Sequence, residues 1–145
     1  MHMPNITLYP DTETYIKQFY EPSITAYRFL RVFFAELYEN GIKEISRDLV
    51  SFFSNIKGNP RYHSIMHEFT FRSNGIFLYS NELEDNIFTL QNMGLLGKEN
   101  PSFGRILIKY NDSISQEIIN ATQADQLQLI QEIASIFVDG NPDLT

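Results

Sequence analysis

Two histidines stand four residues apart in RYHSIMHEF, His63 and His67. On a helix that spacing puts both imidazoles on one face, which is how a zinc site can begin. The match stops there. A zinc-peptidase helix carries its catalytic Glu directly after the first histidine, and Ser64 occupies that place. Glu68 is adjacent but directed away from the shared face, and no further ligands can be named. The two histidines are weak metal candidates, and the expectation is no metal and no other cofactor.

Other chemistry fares no better. Glu82 and Asp85 open an exposed helix, where nothing perturbs a carboxylate for acid–base work. GNPRYHS and SFGRI lack the glycine spacing of a phosphate loop, and no serine has a G-x-S-x-G setting. Cysteine is absent, which excludes disulfides, thiol nucleophiles and cysteine-held metals. The chain is therefore expected not to be an enzyme.

The elements that carry these residues follow from periodicity. Residues 1–22 hold Pro4, Pro10 and Pro22 and read as an irregular arm, with room for a short helical turn near 12–20. Ser23 is a good N-cap for a helix on which Ile24, Tyr27, Leu30, Phe34 and Leu37 recur, and Asn40-Gly41 closes it. The pattern restarts at Ile45-Ser46, with Leu49, Phe52, Phe53 and Ile56 on one side before Gly58-Asn59-Pro60. A short helix over 61–67 follows.

FTFRSNGIFLYS (69–80) changes the period to two. Asn74-Gly75 predicts a hairpin with a type I′ turn, which pairs Ser73 with Ile76, Phe71 with Leu78 and Phe69 with Ser80. Thr70, Arg72, Phe77 and Tyr79 then share the outward face. The other reading is a loop that runs straight into the next helix. That helix, 82–93, is capped by Asn81 with Glu84 as its capping-box partner; Leu83, Ile87 and Leu90 are buried, and Gly94 ends it. Leu95-Leu96 and Ile106-Leu107-Ile108 read as strands on either side of the turn GKENPSFG. A final helix near 122–138, capped by Thr122, closes the chain. Its apolar residues span roughly 200°, wider than the ~100° of a surface helix. Such a helix is either central to the fold or shared with a second subunit.

At 145 residues, 43% hydrophobic and 14% aromatic, the chain is sufficient for one packed domain without a staple. No apolar run approaches the roughly 20 residues of a membrane span. MHMPNITLYPDTETY has neither a basic start nor an apolar core, so no signal peptide is expected and cytoplasm is the default location. The net charge is −7, and no Lys or Arg follows Lys109 while six acids do. That C-terminal stretch repels phosphate and anionic lipid.

Residues 80–110 resemble the recognition helix and wing of bacterial winged-helix proteins. The resemblance rests on the Ser/Asn cap, Leu83, Ile87, Leu90, the Gly94-Leu95-Leu96 exit and a glycine-containing turn before a strand. Residues 24–57 are similar to the family's first two helices, with 42–45 as a short first strand. Together these cover a little under half of the chain. The expected fold is α+β and predominantly helical: a winged-helix-like core over 23–145 with a small antiparallel sheet and an added C-terminal helix. One departure is that roughly two dozen residues, 58–80, separate the second and third helices, where a compact helix-turn-helix has a few.

If the resemblance holds, helix 82–93 would turn Glu82, Glu84, Asp85, Phe88, Thr89 and Asn92 toward a DNA groove. Groove readers use Arg or Lys toward guanine, Asn or Gln toward adenine, and cations toward phosphate. Asn92, and Gln91 beside it, are the adenine-type residues here; the carboxylates would be pushed away. The basic set elsewhere is Lys98, Arg105 and Lys109 on the wing, with Arg72. A protein partner fits better: Phe77, Tyr79 and Phe88 are aromatics on outward faces, beside Glu84 and Asp85. Alternatively another helix of the same chain covers them. The expected role is a non-catalytic module that binds a protein partner or itself, as a homodimer through the C-terminal helix. The alternative is a DNA-binding transcriptional regulator that uses the wing cations.

Overall fold

Helix α1 (Ala26–Glu39) buries nine of its fourteen residues, so most of its surface is covered and only the stripe of Tyr27, Arg28, Arg31, Tyr38 and Glu39 meets solvent. In the computed structural model, which describes residues 24–97 and 105–140, α1 packs against the four helices His63–Met66, Asn81–Asn92, Asp112–Asn120 and Ala124–Asp139. Its first N–H groups are satisfied from two directions. Thr25 Oγ1 accepts from Arg28 N (3.1 Å), and Glu68 Oε1 accepts from Ala26 N (2.6 Å). The cap is thus Thr25, two residues beyond the expected Ser23, which lies outside the described residues, as does the arm 1–22. Asn40 and Gly41, at φ +83°, end the helix as expected.

The fold is α+β and predominantly helical, with a small antiparallel sheet. Strand β1 (Glu44–Ile45) leads to α2 (Leu49–Lys57). Ile45-Ser46 does not begin that helix. Asp48 does, because its Oδ1 accepts from both Val50 N (3.0 Å) and Ser51 N (3.2 Å), while Ile45 is drawn into the sheet. A 3-10 turn (Pro60–Tyr62) and α3 (His63–Met66) stand where the short helix was expected. Then come β2 (Arg72–Ser73), β3 (Leu78–Tyr79), α4 (Asn81–Asn92) and β4 (Ile106–Leu107). β1 pairs with β4, Glu44 opposite Leu107 and Ile45 opposite Ile106. Leu96 bridges Ile108 on the other side, supported by Gly97 N to Leu107 O and Lys109 N to Leu95 O, both 2.8 Å.

Helix α5 (Asp112–Asn120) was not expected. Asn111 caps it through a bond from Ile114 N (2.8 Å), and it buries Ser115 and Ile118. Ser115 Oγ donates to Glu39 (2.7 Å) and Tyr38 OH donates to Asp112 (2.8 Å), so polar groups tie it to α1. Thr122 belongs to its end: the hydroxyl donates back to Ile118 O (2.8 Å). The last helix, α6 (Ala124–Asp139), starts after Gln123 with no side-chain cap. It buries Ile130, Ile133, Ala134 and Phe137 while leaving Ile136 exposed, so its apolar arc is only partly covered by the chain itself.

The core between these helices is aromatic. Phe33 meets Phe53 edge to face at 5.0 Å and Phe137 at 5.7 Å, and Phe52 meets Phe137 at 5.0 Å. Each such pair contributes about 0.5–1.5 kcal/mol beyond the area it buries. Arg47 lies over Phe52 (4.8 Å) and Phe137 (5.1 Å) and reaches the Phe137 carbonyl, placing a cation at the C-terminal end of α6. Glu36 is buried against Gln131 of α6, and burial pushes its carboxyl above the usual range.

Two predictions follow from packing and charge. A Cβ on Gly97 would lie 2.8 Å from Leu107 Cβ, an atom fixed by the sheet. Gly97→Ala is expected to destabilise by about 1–3 kcal/mol, read as a lower urea midpoint. A shift under about 0.5 kcal/mol would mean that the sheet yields. Separately, Arg61 clamps Glu132 with contacts of 2.7 and 2.5 Å, and Tyr62 OH adds a bond of 3.0 Å. The Arg61 bond holds the Glu132 carboxyl down to about 2 from an ordinary 4.5. Since the folded value is the lower, this pairing stabilises fully above pH 4.5 and is lost as pH falls toward 2. Glu132→Gln should flatten that part of the acid-unfolding curve, and an unchanged curve would rule the clamp out as its source.

Candidate functional site

The hairpin forms, but two residues out of the expected register. Arg72 pairs with Tyr79 and Ser73 with Leu78, so the loop is Asn74-Gly75-Ile76-Phe77 in place of a two-residue turn. Asn74 explains the difference. Its Oδ1 accepts from both Ile76 N (2.9 Å) and Phe77 N (3.0 Å), which draws those two residues into the loop. Gly75, at φ +91°, supplies the left-handed corner. A slip of two preserves which residues share a face. Arg72 and Tyr79 therefore still face outward as expected. Phe77, expected within a strand, sits at the loop instead, 58% exposed beside Ile76 at 88%.

Helix α4 follows the hairpin with no spacer. Ser80, not Asn81, is the cap: its Oγ accepts from Leu83 N (3.2 Å), so Glu84 is not the partner of a capping box. Of the first-turn acids, Glu82 is consumed locally, because its Oε1 accepts from Thr70 N (2.8 Å) at the base of the hairpin. Glu84 and Asp85 remain exposed, with no side-chain partner among the described residues. Phe88 lies one turn beyond Glu84 and is 57% exposed; no other described helix covers it.

Between the hairpin, the start of α2 and α4 lies a hollow of about 220 Å³. Leu83 and Ile87 of α4, Leu49 of α2 and Ile106 of β4 form an apolar floor, all four buried. Phe77 and Tyr79 stand at one side with their rings edge to face at 6.4 Å. Asp48 and Glu84 are the charged residues of the lining, and no Lys or Arg is among them. Three expected residues, Phe77, Tyr79 and Glu84, thus meet at one place, and Asp85 and Phe88 continue along the same helix.

Asp48, Leu49, Val50 and Ile106 were missed as lining. They arrive from distant parts of the chain, and only the β1–β4 pairing brings them to α4. Ile76 was missed because a two-residue turn would have made it a paired strand residue.

The basic set is less coherent. Arg105 is ion-paired with Glu44 on the neighbouring strand. Lys98 lies outside the described residues, along with most of the turn GKENPSFG. Lys109, Arg72 and Asn92 are exposed, on a strand exit, the hairpin and the end of α4 respectively. Gln91 is buried and donates to Gly97 O (3.0 Å), so it is a sheet support rather than a base reader.

His63 and His67 are both exposed on α3 and its end, and Glu68 is turned to the first N–H of α1. Among the described residues no group of three His, Cys, Asp or Glu side chains is placed to hold a metal ion. Nor is any described helix long and apolar enough to cross a membrane. Comparison of the chain with protein-family models, with curated proteins and with solved structures finds no match to any of them.

Proposed function

We propose that this chain is a non-catalytic protein-interaction module on a winged-helix-like scaffold. The observation that carries the reading is the junction of hairpin and α4. There Ile76, Phe77 and Phe88 are left exposed on the two elements that border an apolar hollow. Aromatic side chains held in water on rigid elements are costly unless something covers them, and they are the residues from which interface anchors are drawn.

The element order supports the scaffold. Helix α1, β1, α2, α4, the single bridged residue Leu96 and β4 follow one another as in the family resembled, with β1 on β4 and Leu96 on Ile108. The hairpin and α3 are additions between α2 and α4. The hairpin leads directly into the N-terminal end of the helix that would enter a groove, and its Phe77 and Tyr79 line the recess there.

DNA binding has less support. The outward face of α4 carries Glu84 and Asp85 with no cation, and Arg105 is already occupied by Glu44. Phosphate contacts would fall to Arg72, Lys109 and Lys98. Self-association through α6 is the other form of the same reading, and exposed Ile136 supports it.

Phe77→Asp and Phe88→Asp separate these. Both side chains are mostly in water, so each variant should keep its urea midpoint to within about 0.5 kcal/mol. Quantitative capture of binding proteins, or sedimentation of the chain alone, should show association weakened about tenfold or more. Association unchanged in both variants would remove this surface from the account.

A further inference from the structure

Resting on that reading, we propose the chemical class of the partner: a segment of another protein that seats one large apolar side chain in the hollow and sets a Lys or Arg against Glu84 and Asp85. The hollow, about 220 Å³, has room for one such side chain. Leu49, Leu83, Ile87 and Ile106 give it an apolar floor, and Asp48, Ser80 and Glu84 place polar groups at its sides.

Charge decides the rest. Glu84 lines the hollow and Asp85 follows it on the exposed face of α4, and neither carboxylate has a side-chain partner among the described residues, while Glu82 and Asp48 spend theirs on Thr70 and on the start of α2. The end of α4 offsets them only in part, since a helix N-terminus supplies roughly half a positive charge against two full negative ones. The nearest cation on the hairpin, Arg72, lies across from Tyr79 and does not line the hollow. A partner with an acidic or neutral flank would leave Glu84 and Asp85 facing like charge or losing water without compensation. A second copy of this chain is disfavoured on the same ground, because each copy carries −7.

The test is selection of binders from a random peptide library displayed on phage, using the full chain at about 50 mM salt, where surface charge is felt over more than ~10 Å. Enriched peptides are then titrated by fluorescence anisotropy against wild type, Glu84→Lys/Asp85→Lys and Phe77→Asp. A control, Glu117→Lys/Asp139→Lys, makes the same charge change on exposed residues of α5 and α6. The expected result is peptides with a large apolar residue and a nearby Lys or Arg. They should lose about tenfold or more in affinity with Glu84→Lys/Asp85→Lys and with Phe77→Asp, and much less with the control. Peptides without a cation that still need Phe77 would overturn this inference and leave the interaction surface standing. Equal loss in the control would also overturn it, since net charge alone would be responsible. Binders indifferent to Phe77, or no binders at all, would count against both.

Discussion

A helix that buries nine of its fourteen residues cannot lie on a surface by one stripe alone. Phe29, Leu30, Val32, Phe33, Phe34, Ala35 and Leu37 leave α1 no choice but the centre, and the rest of the fold is the cover that this demands. Phe53, Phe69 and Phe137 reach it from α2, the segment before the hairpin and α6, and lock by edge-to-face contact. Covering α1 commits one face of α4, through Leu83, Ile87 and Leu90. The opposite face is consequently presented to solvent, with Glu84, Asp85 and Phe88 on it. The position of the candidate surface is thus a consequence of core packing and not of a local motif.

The hairpin in the segment between α2 and α4 walls a recess at the edge of that face, with Leu83 and Ile87 in its floor. Lys57 Nζ donates to the Phe69 carbonyl, Glu68 closes the start of α1, and Glu82 holds Thr70, so the segment is fastened at several points to the helices around it. Ser80 both ends the hairpin and caps α4, which leaves no hinge between them. Rigidity of this kind matters for recognition, because side chains that are already ordered lose less entropy on binding.

Helices α1, α2 and α4 were legible in the sequence because long apolar periodicity and strong stop signals coincide in them. Boundaries moved by one or two residues wherever two capping residues stood close together, as with Ser80 and Asn81, or Ser46 and Asp48. The hairpin was legible as an element and not in its register, because Asn74-Gly75 describes the corner while the side chain of Asn74 decides the loop length. Helix α5 escaped because its contact with α1 runs partly through Ser115 and Asp112, which no hydrophobic pattern reports. Phe77, Tyr79 and Glu84 could be picked out as outward-facing. That they share a hollow with Leu49 and Ile106 depends on tertiary pairing, which one sequence does not encode locally.

The claim that this surface is built for protein and not for phosphate is tested most directly with nucleic acid. Anisotropy of labelled mixed-sequence duplex DNA, titrated with the chain at about 50 and 200 mM salt, reads general affinity and its counter-ion dependence together. The account predicts no binding at either salt concentration, because Glu84 and Asp85 face outward and Arg105 is spent on Glu44. Micromolar binding that collapses between the two salts, and that disappears when Arg72 and Lys109 are replaced by Ala, would contradict it.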